Sequence, residues 1–406
     1  MSRIKLGKPV VIAQSTTEPI FKGGYQDTFL RCDEQKNLYL RFAKRHDSMA
    51  TFGQDDHPLY ISRDGGETWA ESDDLSLWVK AQPVLPNGDR FQFREHYAIL
   101  KDIPPLPRCD RRVKANGFCV NEAYTVEDLE PLFGDRVAKT FRVARVYAGT
   151  DKVVEEEATV RWDNMPITAK KDVIVRPFPM KNYVVDKQGV MWTTVFGNYI
   201  LPDGTLGSDY WCSHLLRSDD FGHSWDYVST LPYREEYQNP NCHYLEGFNE
   251  TSLLVLENGS LLALVRSGSL FVDGMGDPDH PAPQLFYSFI TDNGKTWSEP
   301  KPFYEYGVWP ESVRLGCGTI LMTSGRPGVY IRATDDPTAQ SWDDVIQILP
   351  VPPEDYYTHY HEYSCSNNGI AAYDDHTAFI SYSNFKIPSP EGKVAKSIVV
   401  QRITVE

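Results

Sequence analysis

The sequence predicts an all-β fold assembled from six repeated sheets, and three observations predict it. Aromatic residues are abundant (23 Tyr, 19 Phe, 9 Trp) and Gly and Pro stand at 28 each, a composition suited to short strands joined by turns rather than to long helices. An eight-residue turn motif recurs three times without gaps, at residues 62–69, 218–225 and 290–297. A pattern of apolar strand, polar turn and second apolar strand also recurs along the chain.

The turn motif places Asp64, Gly66, Thr68 and Trp69 in its first copy, Asp220, Gly222, Ser224 and Trp225 in its second, and Asp292, Gly294, Thr296 and Trp297 in its third. These residue types describe a turn that staples itself. The carboxylate accepts backbone N–H groups, Gly supplies a positive φ, Ser or Thr adds a hydroxyl, and Trp packs beneath. A fourth, weaker copy runs from Asp336 to Trp342 and is one residue too long.

The strand–turn–strand pattern occupies residues 28–43 around Asn37, 183–195 around Gly189, 252–265 around Gly259, 313–323 around Gly318 and 369–382 around Asp375. The last four turns lie 70, 59 and 57 residues apart, the length of one propeller blade. Between Asn37 and Gly189 are 152 residues, two such periods with an insertion, so a divergent blade is expected around residues 100–165, near Ala115–Gly149. The total is a six-bladed β-propeller over residues 1–406 as a single domain. Charged residues 127–145 read as a short helix or an extra hairpin. Closure of the propeller would pair residues 10–14 with the C-terminal region 398–405.

Bulk properties narrow the function. A formal charge of −15 and a pI near 5.2 oppose nucleic-acid binding, although a few converging arginines could still hold an anionic ligand. No apolar run reaches the length of a membrane span or a signal peptide, so the chain reads as soluble and cytoplasmic; a chain whose export signal had been removed would read the same. Seven scattered cysteines, never spaced C-x-x-C, indicate neither a zinc site nor a disulfide framework. The sequence carries no metal constellation, phosphate loop or dinucleotide fingerprint, so no cofactor is expected.

The turn motif is the Asp-box, or BNR, repeat, and the chain resembles the sialidase-like (neuraminidase) superfamily that carries it. The resemblance implies that each box lies on the outer turn between the third and fourth strands of a blade, so Asp64, Asp220 and Asp292 serve folding. It also implies an active centre where loops enter the innermost strands. Residues 249–266 resemble the segment in which Glu250 would act as base to a tyrosine and Arg266 would bind a substrate carboxylate. Arg326 resembles a second carboxylate-binding arginine, with Arg332 as its competitor. Tyr363, ahead of the last hairpin, takes the place of the nucleophile, and a neutral phenol suits an anionic substrate that a carboxylate would repel. Asp47 is the expected general acid, with Asp55 and Asp56 in the same loop, and His361 stands beside Tyr363 as a substrate-binding residue.

One departure is evident. Where the family carries a Tyr-Arg-x-Pro motif, this chain reads Tyr25, Gln26, Asp27 and Thr28, so an arginine is missing unless Arg31, Arg41 or Arg45 replaces it. Gln26 and Asp27 in that slot suit sugar hydroxyls or acid catalysis on a neutral glycoside, and Glu246 and Glu311 enlarge the set of carboxylates. Trp309, Tyr210 and Trp211 are candidates for stacking on sugar faces. The leading expectation is an exo-acting glycoside hydrolase cleaving a terminal sugar, acidic sugars included, from an oligosaccharide. Two alternatives stand: a polysaccharide lyase abstracting a proton beside a uronate with Tyr and His243, His359 or His361, and a non-catalytic glycan-binding propeller.

Overall fold

The computed structural model describes residues 3–17, 24–44, 57–94, 99–101, 103–113, 122–170, 173–179, 181, 183–237, 246–267, 285–304, 307–355, 362–365 and 367–406. Among them, strands form six sheets, and the chain divides into two compact units. The first contains Met1–Val84, Leu256–Asn258 and Tyr306–Glu406; the second contains Leu85–Val255 and Gly259–Glu305. No helix among the described residues is long and apolar enough to cross a membrane.

Five sheets contain the hairpin expected from sequence. Gln26–Cys32 pairs with Leu38–Ala43, Val184–Val185 with Met191–Ile200, Phe248–Val255 with Leu261–Ser267, Val308–Arg314 with Ile320–Gly325, and Gly369–Ala372 with Thr377–Asn384. Five residues close every one of these hairpins, so the register numbers all five alike. The fourth turn residue has positive φ in four of them: Gly189 (86°), Gly259 (84°), Gly318 (96°) and Lys36 (64°). Glycine meets that demand without strain. Lys36 is held by its ammonium on the Tyr373 carbonyl.

In the first unit, Leu59–Ser62 and Ala70–Ser72 complete one sheet, and Val329–Thr334 and Ile346–Leu349 complete another. The third sheet ends in Lys396–Val405, whose outer edge receives the N-terminal chain. Val10–Ser15 pairs antiparallel with residues 396–400, and Ile4–Leu6 pairs with residues 403–405. The expected pairing of the chain ends is therefore present. Alternating apolar residues Ile398, Val400 and Leu38, Leu40 and Phe42 build one core, and Ile331, Ile380 and Ile403 contribute to a second.

In the second unit, residues 100–165 do more than make one divergent blade. Ile99–Lys101, Val173–Val175, Pro166–Lys170 and Glu122–Thr125 form a four-stranded sheet. Arg90–Phe93, Thr140–Val146 and Val153–Arg161 instead extend the neighbouring sheet to seven strands, joining Ser224–Leu231 in parallel at Thr159 and Ser224. The period-2 run of Val153–Arg161 explains this placement: Ala158 and Val160 are buried while Glu155 and Glu157 face solvent. The charged stretch contains a helix, Val126–Phe133, started by a capping box in which Thr125 and Asp128 exchange hydrogen bonds.

The self-stapling turns follow the third strand of their sheets. Asp64 accepts the backbone N–H groups of Glu67 (3.1 Å) and Thr68 (3.0 Å) and the hydroxyls of Thr68 and Ser62 (2.8 Å), and the bonds from Thr68 hold its carboxyl at about 2. Asp220 repeats the pattern with Ser218 and Ser224; burial opposes its ionisation, yet the Ser224 bonds bring its pKa below the usual carboxylate range. The third copy is built differently. Asp292 and Asn293 both take φ of 51°, Gly294 N–H donates to the Thr291 carbonyl (3.1 Å), and Trp297 donates to Ser229 (2.8 Å).

The overlong fourth copy, by contrast, is stapled. Asp336 accepts from Thr338, Gln340 and Ser341, the Thr338 bonds hold its carboxyl at about 2, and Trp342 donates to the Ala339 carbonyl (2.9 Å) as Trp69 does to Gly66 (3.1 Å). The difference lies two residues before the Asp. From there Ser62 and Ser218 donate a hydroxyl to the carboxylate, the Thr334 hydroxyl instead accepts from the Asp336 N–H, and Ile290 has none. Asp220→Ala is accordingly expected to lower stability by about 1–3 kcal/mol, and Asp292→Ala by much less, as read by denaturant unfolding.

His214 lies fully buried in the second unit. Its Nε2 donates to the Asn198 carbonyl (3.0 Å), its Nδ1 accepts from Thr230, and the Trp162 ring packs at 4.8 Å. Burial pushes the imidazole down to about 4 from its ordinary 6.5. The unfolded chain therefore takes up this proton first on acidification. Its contribution is complete above pH 6.5 and is lost as pH falls towards 4, about 3 kcal/mol in all. Stability measured across that window should show this loss in the wild type and a flatter profile in His214→Gln.

Candidate functional site

A shared backbone irregularity marks the start of three first strands. Pairing slips by one residue between Gln26 and Phe29, between Asn249 and Ser252, and between Val308 and Glu311. Each slip is a β-bulge, and the residue after the last pair before the slip is left-handed in all three: Asp27 (φ 49°), Glu250 (φ 44°) and Trp309 (φ 52°). None is glycine. A side chain held at such φ costs roughly 1–3 kcal/mol and persists where its surroundings enforce it, commonly at functional sites. Counted from the common five-residue turn, Asn367 occupies the same position in the last sheet.

In the second unit the bulge carries a buried charge cluster. Arg266 Nη1 donates to Glu250 Oε1, Arg266 Nη2 lies 3.9 Å from Glu246 Oε2, and Asn249 Nδ2 donates to Glu246 at 2.8 Å. The side chains of Glu246, Glu250 and Arg266 are 3%, 10% and 9% exposed, so their charges face one another rather than water. Ionisation of all three leaves one unit of negative charge. Backbone contacts fix the approach to the bulge. Trp211 N–H donates to the Glu246 carbonyl (2.8 Å), and a Cβ on Gly247 (φ 103°) would stand 2.3 Å from the Trp211 oxygen. Only glycine fits so close an approach. Thr251, the next residue, meets Ser213 Oγ at 2.8 Å, and its carbonyl accepts from Thr194.

In the first unit Asn367 Nδ2 donates to Asp27 Oδ1, linking the equivalent positions of adjacent strands. The close approach of those strands is possible because residue 369 is glycine: a Cβ there would meet Leu30 N at 2.8 Å and the Thr28 carbonyl at 2.9 Å. Gln26 is half-buried and pairs with Ala43. Glu311 accepts from Ile370 N–H (3.3 Å). Arg326 is half-buried with φ 59° just after Gly325, while Arg332 donates to the Asp343 carbonyl (3.0 Å). Two of the expected substitutes for the missing arginine, Arg31 and Arg41, are engaged elsewhere. Arg31 lies 3.7 Å over the Trp78 ring, and buried Arg41 donates twice to the His57 carbonyl.

Tyr363 stands off the strand, four residues before Asn367. Its hydroxyl donates to Asp355 (2.6 Å), Lys386 lies 4.0 Å over its ring, and the bond to Asp355 pushes its pKa up to about 12. The carboxylate that receives the phenol is thus Asp355, which sequence reasoning did not single out and which Glu250, bound to Arg266 in the other unit, was expected to be. Asp47 and His361, with Arg45, Asp55, Asp56, His243 and His359, lie outside the described residues. Among the aromatic candidates, Trp309 and Tyr210 are buried, packed on Phe29 and Tyr233, whereas Trp211 is half-buried. Among the described residues no group of three or more His, Cys, Asp or Glu side chains is placed to hold a metal ion.

No protein-family model matches the chain, and no curated protein matches it. Solved structures resemble it to different degrees. A protein of unknown function from Dyadobacter fermentans is 16% identical, with both chains covered in full and a TM-score of 0.59. An α-L-arabinanase of Penicillium chrysogenum complexed with arabinobiose is 14% identical over 98% of each chain, at a TM-score of 0.47. A sialidase of Streptococcus pneumoniae is 13% identical, with 98% of this chain and 70% of its own covered, at a TM-score of 0.45.

Proposed function

We propose that the chain is an exo-acting glycoside hydrolase built as one six-bladed β-propeller of the sialidase-like kind, its sheets the blades and its stapled turns Asp boxes, and that it releases a neutral terminal sugar from an oligosaccharide. The observation that carries this reading is Glu250, a carboxylate held in a strained left-handed bulge and hydrogen-bonded by a buried arginine. A carboxylate so placed is suited to act as base or nucleophile at an anomeric carbon. Asp27, at the equivalent bulge of the first sheet and held by Asn367, is a further candidate carboxylate, and Asp47 remains the proposed acid.

Charge favours a neutral sugar over sialic acid. Arg266 is already matched by two carboxylates, and a substrate carboxylate would have to displace one of them inside a buried cluster. The arginine absent beside Tyr25 points the same way. Tyr363 addresses Asp355, so the hydrolytic step is assigned to the bulge carboxylates.

The test is turnover of chromogenic neutral glycosides, sialosides and uronides by purified protein. Neutral glycosides alone should be cleaved. Glu250→Gln should lower kcat by about 10²–10⁴-fold, while Tyr363→Phe changes it less than about fivefold. Sialoside cleavage abolished by Tyr363→Phe would overturn the assignment and place the chemistry on Tyr363 with Asp355 as its base.

A further inference from the structure

The buried cluster of the second unit has an aromatic neighbour that the proposed chemistry does not use. Trp211 and Ser213 lie on the same face of strand Leu206–Ser218, because side chains two apart on a strand point to the same side. Ser213 touches Thr251, the residue after Glu250, and Trp211 N–H bonds the Glu246 carbonyl. Trp211 therefore stands beside the segment that carries both carboxylates, bridged to Gly247. It packs on Phe196 with ring centroids 5.1 Å apart, and unlike Tyr210 and Trp309 it keeps part of its surface open. Its Nε1–H has no hydrogen-bond partner, although that atom is buried. Fully buried Trp225 leaves the same donor unpaired, so what distinguishes Trp211 is its open surface.

We propose that Trp211, backed by Phe196, is the platform on which the terminal sugar ring stacks beside Glu246 and Glu250. This rests on the glycosidase reading for its substrate class. A pyranose or furanose face offers C–H groups to an indole, and neutral sugars bind to such a surface without added charge. The side chain acts as a positioning residue. It fixes the ring against the carboxylates and takes no part in bond cleavage.

The experiment compares wild type, Trp211→Ala and Trp211→Phe with 4-nitrophenyl glycosides of neutral pentoses and hexoses, alongside binding of the same proteins to an array of neutral oligosaccharides and their thermal midpoints. Trp211→Ala should raise KM about tenfold with kcat within about twofold and an unchanged midpoint, and Trp211→Phe should recover most of the loss. An unchanged KM in Trp211→Ala, or a fall in midpoint and kcat without a KM effect, overturns the platform. Should wild type cleave none of the glycosides, the hydrolase reading fails and the array decides the inference: binding lost in Trp211→Ala upholds it, and binding that Trp211→Ala retains, or none by wild type, overturns it.

Discussion

The left-handed backbone at the start of the first strands is the constraint on which the rest depends. At Asp27, Glu250 and Trp309 the chain enters a bulge that glycine would tolerate without strain, yet it carries two acids and a tryptophan. The bulge turns each side chain away from the regular alternation of its strand. Neighbouring groups then hold it: Arg266 on Glu250, Asn367 on Asp27, and Phe29 on Trp309. Strain of this kind is retained where the side chain has a task that a relaxed backbone would not perform.

Around this constraint the sheets are made by repetition. A five-residue turn at one end of the first hairpin fixes the register, so the bulge recurs at the same place in different sheets. At another corner, three carboxylates tie their own turns. These turns hold together through local bonds, whereas the bulge residues are held by groups distant in sequence. The contrast explains why the same residue type serves folding at Asp64, Asp220 and Asp336 and is proposed for chemistry at Asp27.

Much of the fold was legible in the sequence. Apolar periodicity located all five hairpins, and the pairing of the N-terminal strand with Lys396–Val405 followed from the need to close the last sheet. The turn motif was readable only in part, because Asp, Gly and Trp were counted and the hydroxyl two residues before the Asp was not; that hydroxyl separates stapled Asp336 from unstapled Asp292. The seven-stranded sheet escaped detection because Val153–Arg161 joins a strand some 65 residues away, at Asp226, through a parallel pairing that no local pattern announces. At the site, Glu250 and Arg266 were singled out, but as base to Tyr363 and as binder of a substrate carboxylate rather than for their bond to each other; the partners of Tyr363 and Asp27 were not foreseen. Asp355 and Asn367 are ordinary polar residues in sequence, and their roles arise from register.

The central claim is that acids occupy strained bulges for function and at a cost in stability. Stability and neutral-glycoside turnover of Asp27→Gly and Asp27→Ala test it most directly, because both remove the carboxylate while only glycine relaxes at φ 49°. The account predicts that turnover collapses in both, with the glycine variant more stable than the alanine variant by about 1 kcal/mol. Equal stability of the two variants with turnover retained would contradict it.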